Sequence, residues 1–286
     1  MLLLQLLANG IVTGSALGIV AVSFALIYST TRVFHVAHAG VFTLGGYLAW
    51  SLVRAGVPDL LALGGAMAGC VVLGAAIQQF LYAPLERRGA AQLVVLIASL
   101  GMLAVIQNVL AAVYSPDILQ FPSAWAGRVF GLGGLRLTGA QLATVGVDFA
   151  AFGWVMWFAH GTLLGKRIRA VAANPFLAEI TRLEPRRVHV LVMAIASALV
   201  CLPGVLGPLD YGLQPYGGVT PLLTATIAMI AGGIGSLAGA FFLAIAIVVL
   251  QNLSLLVMPG EWSIGVTFAI FIVFMLFRPR GLFASG

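Results

Sequence analysis

The chain is a succession of long apolar runs separated by short charged or glycine- and proline-rich breaks, and this alternation limits what it can fold into. The runs cover about residues 2–30, 37–53, 60–82, 92–114, 141–163, 188–206, 220–232, 237–257 and 262–277. A helix needs roughly 20 apolar residues to cross a bilayer. In lipid, only helices and closed barrels satisfy every backbone polar group internally. Hydrophobic residues make up 62% of the chain and charged residues 8%, too few charges to cover a water-exposed surface. The expected fold is an all-α, polytopic transmembrane helical bundle of about 8–9 segments, forming a single domain over 1–286. Residues 220–232 are too short to span comfortably and run into Gly232-Gly-Ile-Gly235-Ser236. A short or half helix, a glycine turn and a full returning helix are expected there.

The net charge of +6 comes from 14 Lys and Arg against 8 Asp and Glu. The basic residues fall in short clusters between apolar runs, which makes them topology signals and not a nucleic-acid-binding surface. Counting them on the two sides generated by the runs places Arg32, Arg87, Arg88, six residues of the 165–187 loop, Arg278 and Arg280 on one side. Arg54, Arg128 and Arg136 fall on the other. Positively charged loops stay inside, so the loop 165–187 and the C-terminus are expected in the cytoplasm and the loop 116–139 outside. Trp50 and Trp262 then fall near the outer ends of their runs, where amphipathic rings are favoured. Met1 to Leu7 has no basic region, so the first run reads as a helix entering the membrane and not as a cleaved signal.

Thirty-five glycines lie mostly inside the runs. Small residues let helices approach closely in lipid, and Gly10, Gly14 and Gly18 form such a stripe on the first helix. Gly235 and Gly239 repeat the spacing, and Gly232 and Gly233 mark a helix break. Cys70 and Cys201 sit in apolar surroundings and read as packing residues.

Chemistry-bearing groups are scarce. Asp148 is the one carboxylate placed well inside a run, and an intramembrane acid is a functional hypothesis in its own right. His35 and His38 form an H-x-x-H pair that would share one helix face, yet no Glu lies between them and no third ligand is evident, so no metal site is expected. No catalytic constellation is expected either. Gly161-Thr-Leu-Leu-Gly165-Lys166-Arg167 has the wrong glycine spacing for a P-loop and no hydroxyl after the lysine. Gln78-Gln79, Gln107-Asn108 and Gln251-Asn252 are interhelical hydrogen-bonding groups or part of a solute path. The stretch from Arg169 to Glu179 reads as a helix, or two short ones around Pro175, with the composition of a docking element for another protein.

Taken in order, these segments resemble the membrane permease subunits of branched-chain amino-acid ABC importers, the LivH-like subfamily of the hydrophobic amino-acid uptake class. Gly10-Ile-Val-Thr-Gly14-Ser15-Ala-Leu-Gly18 through Tyr28 is similar to the family's first helix, and Val36-Ala37-His38 followed by Leu44-Gly45-Gly46-Tyr47 to its N-F-A-H-G … L-G-A-Y segment. Gly165-Lys-Arg-Ile-Arg169-Ala170 and Ala173-Asn174-Pro175 through Ala178 resemble its coupling loop. Gly232-Gly-Ile-Gly235-Ser236-Leu-Ala-Gly239-Ala240 resembles its glycine turn, and Arg278-Pro279-Arg280-Gly281-Leu282-Phe283 its closing R-P-x-G-L-F. The chain departs from the pattern at His35, where the family has Asn, at Ala39, where it has Gly, and at Arg182, where Gly is common.

The resemblance implies a non-enzymatic transport subunit in a bacterial inner membrane. It would work with a homologous second permease, two cytoplasmic ABC ATPases that hold ATP-Mg, and an extracytoplasmic solute-binding protein. It also implies a coupling role for Arg169, Ala172, Asn174, Pro175, Ala178 and Glu179, and solute-path positions among His35, His38, Tyr47 and Asn252. The solute would be a branched-chain or other aliphatic amino acid, or a related small polar molecule such as urea, an amide, or a short or aromatic acid. The alternative is a stand-alone channel or secondary carrier, for which Asp148 would have to serve as the coupling site. An intramembrane enzyme built on the histidines would lack a matching nucleophile.

Overall fold

The computed structural model describes residues 1–121, 129–132, 135–278 and 281–283. Arg128, Pro279 and Arg280, which entered the charge and motif reading, lie outside the described residues. The first half contains α1 (Leu2–Thr31), α2 (His38–Arg54), α3 (Asp59–Ala76), a π-helical turn (Ile77–Tyr82), α4 (Ala83–Arg87) and α5 (Gln92–Tyr114). An antiparallel hairpin of β1 (Val129–Leu132) and β2 (Leu135–Thr138) follows. The second half contains α6 (Gly139–Gly161), α7 (Leu163–Ala173), α8 (Pro175–Ile180), α9 (Pro185–Leu206), α10 (Pro208–Tyr211), α11 (Val219–Gly232), α12 (Leu237–Ser254) and α13 (Ser263–Phe277).

Among the described residues, seven helical stretches are long and apolar enough to cross a membrane, and α11 is a shorter apolar helix of 14 residues. With α2, this makes the polytopic bundle expected from the apolar runs, including the half helix before the glycine turn. The hairpin is an addition, because its four-residue strands are too short to announce themselves by alternation. β2 runs directly into α6 through a capping box in which Thr138 accepts from the backbone of Gln141 and Gln141 returns the bond.

α1 is the central helix: from Gly18 to Ile27 every residue is buried. It packs against α12, α9, α11 and α6, while α2, α3 and α9 form the neighbouring layer. The stripe of Gly10, Gly14 and Gly18 faces α12, lying against Val249, Ile245 and Phe241 in turn, so the two helices run antiparallel at backbone contact. The Leu2 end of the bundle carries the hairpin, with Gln5 bonded to the backbone of Arg136. The Thr31 end gathers Arg32, the end of α6, α7 and the glycine turn around one cavity.

The run expected to stop near residue 82 continues to Arg87. Pro84 has no N–H for the carbonyl of Phe80 and its ring crowds that turn. The helix therefore widens at Ile77–Tyr82 instead of ending. Of the helix-break and packing roles expected for Gly235, the structure gives it the first: a side chain there would meet nothing, but its φ is +102°. Its role is conformational, allowing the turn, and the close packing is between Gly232 and Gly239, whose backbones touch. Cys70 and Cys201 are free and buried, as a packing role requires.

Candidate functional site

The π-helical turn holds one side of a buried polar cluster. Arg32 ends α1 in the left-handed conformation, φ 58°, and the chain then turns back along α1, placing Phe34 edge-on to Phe24 at 5.1 Å. This return brings His35 and His38 to the level of Ser23, eight residues or roughly 12 Å from the end of α1. The two histidines do not share a helix face. His35 lies in the irregular lead-in and His38 opens α2, with the N–H of His38 donating to the carbonyl of His35 at 3.1 Å. Their rings nonetheless lie 5.5 Å apart, and both are fully buried.

The hydrogen bonds fix the roles of the ring atoms. Tyr82 donates its hydroxyl to Ser99 Oγ at 2.8 Å, so His35 Nδ1 is the donor in its 2.6 Å bond to Tyr82. Ser99 Oγ also accepts from the N–H of Ala37 at 3.0 Å. Ser23 donates to the carbonyl of Val20, which makes His38 Nε2 the donor in the 2.8 Å bond to Ser23 Oγ. With the bonded nitrogens donating, each neutral imidazole leaves one buried nitrogen as an acceptor, His35 Nε2 and His38 Nδ1, that has no partner among the described residues. Leaving such an acceptor buried and unpaired costs about 1–3 kcal/mol. Chemically, the cluster can accept hydrogen bonds from a small N–H or O–H donor. Gln78, fully buried, sits on the same π-helical turn, the kind of local widening that recurs at functional sites.

The structure thus joins His35 and His38 with Ser23, Tyr82 and Ser99, which the sequence reading did not connect. Their signal was only a polar side chain within an apolar run. Tyr47 lies further along α2, buried against Tyr114 with ring centroids 4.8 Å apart. Asn252 is on α12, half-buried and bonded to the carbonyl of Val248 in its own helix, so it does not join the cluster. Asp148 is fully buried between α1 and α6, where it accepts from Ser15 at 3.2 Å.

At the Thr31 end, α7 and α8 form a bent pair with α7 anchored on α6. Thr162 caps α7 by accepting from Gly165, and Asn174 caps α8 by accepting from Leu177. Pro175 takes the first helical position of α8, where its missing donor costs nothing. Gly165 lies against the carbonyls of Phe158 and Ala159, leaving no room for a Cβ. Arg169, Asn174, Pro175 and Glu179 are exposed and Ala172 is half-buried. Ala178 is buried, so it seats α8 and presents no side chain outward. Phe176 and Leu177, inside the stretch read as a docking element, and Ile180 just beyond it are exposed to 70%, 57% and 66%. Exposed apolar patches with polar rims are typical of interaction surfaces. Arg182 follows α8 with φ 61°, which explains why a glycine suits that position. Nearby, the N–H groups of Leu282 and Phe283 donate to the carbonyls of Ala231 and Gly232, so the closing segment pairs with the glycine turn.

Comparison with known proteins accounts for this arrangement. The family model for the branched-chain amino acid transport system permease component matches residues 6–275. The chain is 26% identical over 294 residues to the high-affinity branched-chain amino acid transport system permease protein LivH of Salmonella typhimurium, covering 98% of this chain and 94% of that one. It is 27% identical over 293 residues to BraD of Pseudomonas aeruginosa, covering 98% and 95%. A probable LivH of Methanocaldococcus jannaschii is 22% identical, covering 97% and 91%. Among solved structures, PsaBC from Streptococcus pneumoniae in complex with Fab shares the fold, with a TM-score of 0.51, 15% identity, and coverage of 97% of this chain and 91% of that one. With a family model matched over nearly its whole length, the chain belongs to the branched-chain amino acid transport system permease family.

Proposed function

We propose that the chain is the transmembrane permease subunit of an ATP-driven importer for branched-chain or other aliphatic amino acids, or for a related small polar solute. The observation that carries this reading is the family match over residues 6–275. In this reading the protein sits in a bacterial inner membrane with its C-terminus in the cytoplasm, as the asymmetry of Lys and Arg favours. It works with a homologous second permease and an extracytoplasmic binding protein that delivers the solute. Two cytoplasmic ATPases hold ATP-Mg, and this chain binds no nucleotide of its own.

The α7–α8 pair supports the coupling part of the proposal. The exposed Phe176, Leu177 and Ile180 offer an apolar anchor, with Arg169, Asn174 and Glu179 around it as a polar rim. A displacement of the pair is passed on because α7 abuts the α6 backbone at Gly165 and packs against α1 and α9. Those helices carry Ser23 and border the glycine turn, so a shift in the pair can bias the bundle between two arrangements. The buried cluster of His35, His38, Tyr82 and Ser99 is then a place where a polar group is held or released as the helices move.

The test is co-purification of the tagged protein in mild detergent, with mass spectrometry and an ATPase assay, comparing wild type with a Phe176→Asp, Ile180→Asp variant. ATPase subunits that accompany wild type and are lost by the variant support the reading. A lone protein with ATP-independent solute flux in liposomes would overturn it in favour of a self-sufficient carrier.

A further inference from the structure

A cavity of about 870 Å³ opens at the Thr31 end between α1, α6, α7, α9 and the start of α12. Its walls are apolar, formed by Leu26, Val155, Ala159 and Ile195, and its rim carries Arg32 and Arg169. Among the described residues neither guanidinium lies within ion-pair distance of a carboxylate. Glu86, which lines the adjoining cavity with Arg32, faces His189 at 3.8 Å. Ser29 and Ser236 add hydroxyls to the rim. Ser236 also caps α12, an 18-residue helix whose N-terminus opens on the cavity, contributing a partial positive charge. Both guanidiniums are exposed and line the same cavity, so an anion bound there has two cations to pair with.

The level of the cavity narrows the choice of anion. Trp154 and Trp157 are exposed on α6 beside it, a position typical of rings at the membrane boundary. The cavity therefore has a cationic mouth at headgroup level over an apolar interior, and basic recesses between membrane helices hold anionic headgroups in this way. We infer that this cavity binds the phosphate of an anionic phospholipid, with Arg32 and Arg169 on the phosphate and the acyl chain along Leu26, Val155 and Ile195. Because α7 and the glycine turn both line it, the lipid would brace the α7–α8 pair against the bundle. The inference stands on the cavity and its charges, and holds whatever solute the protein carries.

Native mass spectrometry of the purified protein tests this, using dioleoyl phosphatidylglycerol and dioleoyl phosphatidylcholine as probes. Arg32→Asn, Arg169→Gln removes both charges, and Asn tolerates the left-handed backbone at position 32. Wild type is expected to retain phosphatidylglycerol over phosphatidylcholine, and the double variant to lose that retention at least tenfold. Arg88→Gln, an exposed charge outside the cavity, is the control and should retain phosphatidylglycerol like wild type. A monodisperse elution profile for the double variant shows that it folds; if it does not, Arg169→Gln alone is read, with a partial loss expected. Equal retention in the cavity variant and wild type, or an equal loss in Arg88→Gln, would overturn the site. Displacement of phosphatidylglycerol by millimolar inorganic phosphate in the arginine-intact protein would assign the cavity to a free phosphate and overturn the lipid.

Discussion

Substituting Gly14 with alanine probes whether the α1–α12 seam is a true backbone contact. A Cβ at position 14 would lie 2.8 Å from Cα of Ile245 and 3.3 Å from its carbonyl oxygen. Unstrained carbon contacts are about 3.5–4.0 Å, so α12 must retreat by roughly 1 Å. The obstructing atoms are backbone, so no rotamer change relieves them. A gap of about 0.5–1 Å forfeits a quarter to a half of the dispersion attraction across the neighbouring pairs. Overpacking of this kind costs about 1–3 kcal/mol, against an intrinsic helical gain of about 1 kcal/mol for Gly→Ala. The expected outcome is a net loss of up to about 2 kcal/mol. Gly153 on α6 is the matched control: it is exposed and a Cβ there meets nothing, so Gly153→Ala should be neutral or stabilising by up to about 1 kcal/mol. Equilibrium unfolding in mixed micelles, by titration with a denaturing detergent, measures both. If Gly14→Ala proves as stable as Gly153→Ala, the two helices are not in backbone contact and the reasoning fails.

Three further outcomes are expected. Tyr82→Phe removes the hydroxyl shared by His35 and Ser99 and should destabilise by about 1–3 kcal/mol; a double-mutant cycle with Ser99→Ala should show coupling above about 0.5 kcal/mol, and strict additivity would mean the bond is absent. Arg182→Gly relieves a left-handed residue at φ 61°, for which a Cβ costs about 1–2 kcal/mol, so hydrogen exchange in α8 should slow; faster exchange would contradict the strain. Asp148→Asn keeps an acceptor for Ser15 within the α1–α6 contact, so uptake by the assembled transporter should persist near the wild-type rate, whereas abolished uptake with normal assembly would point to a carrier that uses Asp148 as its coupling site.

What the sequence determined on its own is the class of structure and the order of its parts. Apolar runs near 20 residues leave a helical bundle as the economical solution in lipid, because the helix closes its own hydrogen bonds. The Gly10, Gly14 and Gly18 stripe was legible for the same local reason: residues four apart share a helix face whatever that face touches. The same holds for the breaks at Gly232–Ser236 and Asn174-Pro175, where glycine, an amide cap and proline act on their own backbone. Partners across the fold were not legible. That Gly235 serves the turn while Gly232 meets Gly239 depends on where α12 returns. The grouping of His35, His38, Ser23, Tyr82 and Ser99 depends on the chain turning back after Arg32 and on the widened turn before Pro84. Phe176, Leu177 and Ile180 looked like any apolar residues in a membrane protein until Ala178 was found to be the one that faces inward. Periodicity specifies which residues share a face of one element; only tertiary packing decides what that face meets, because a contact between distant segments is set by the whole arrangement of helices and not by local spacing.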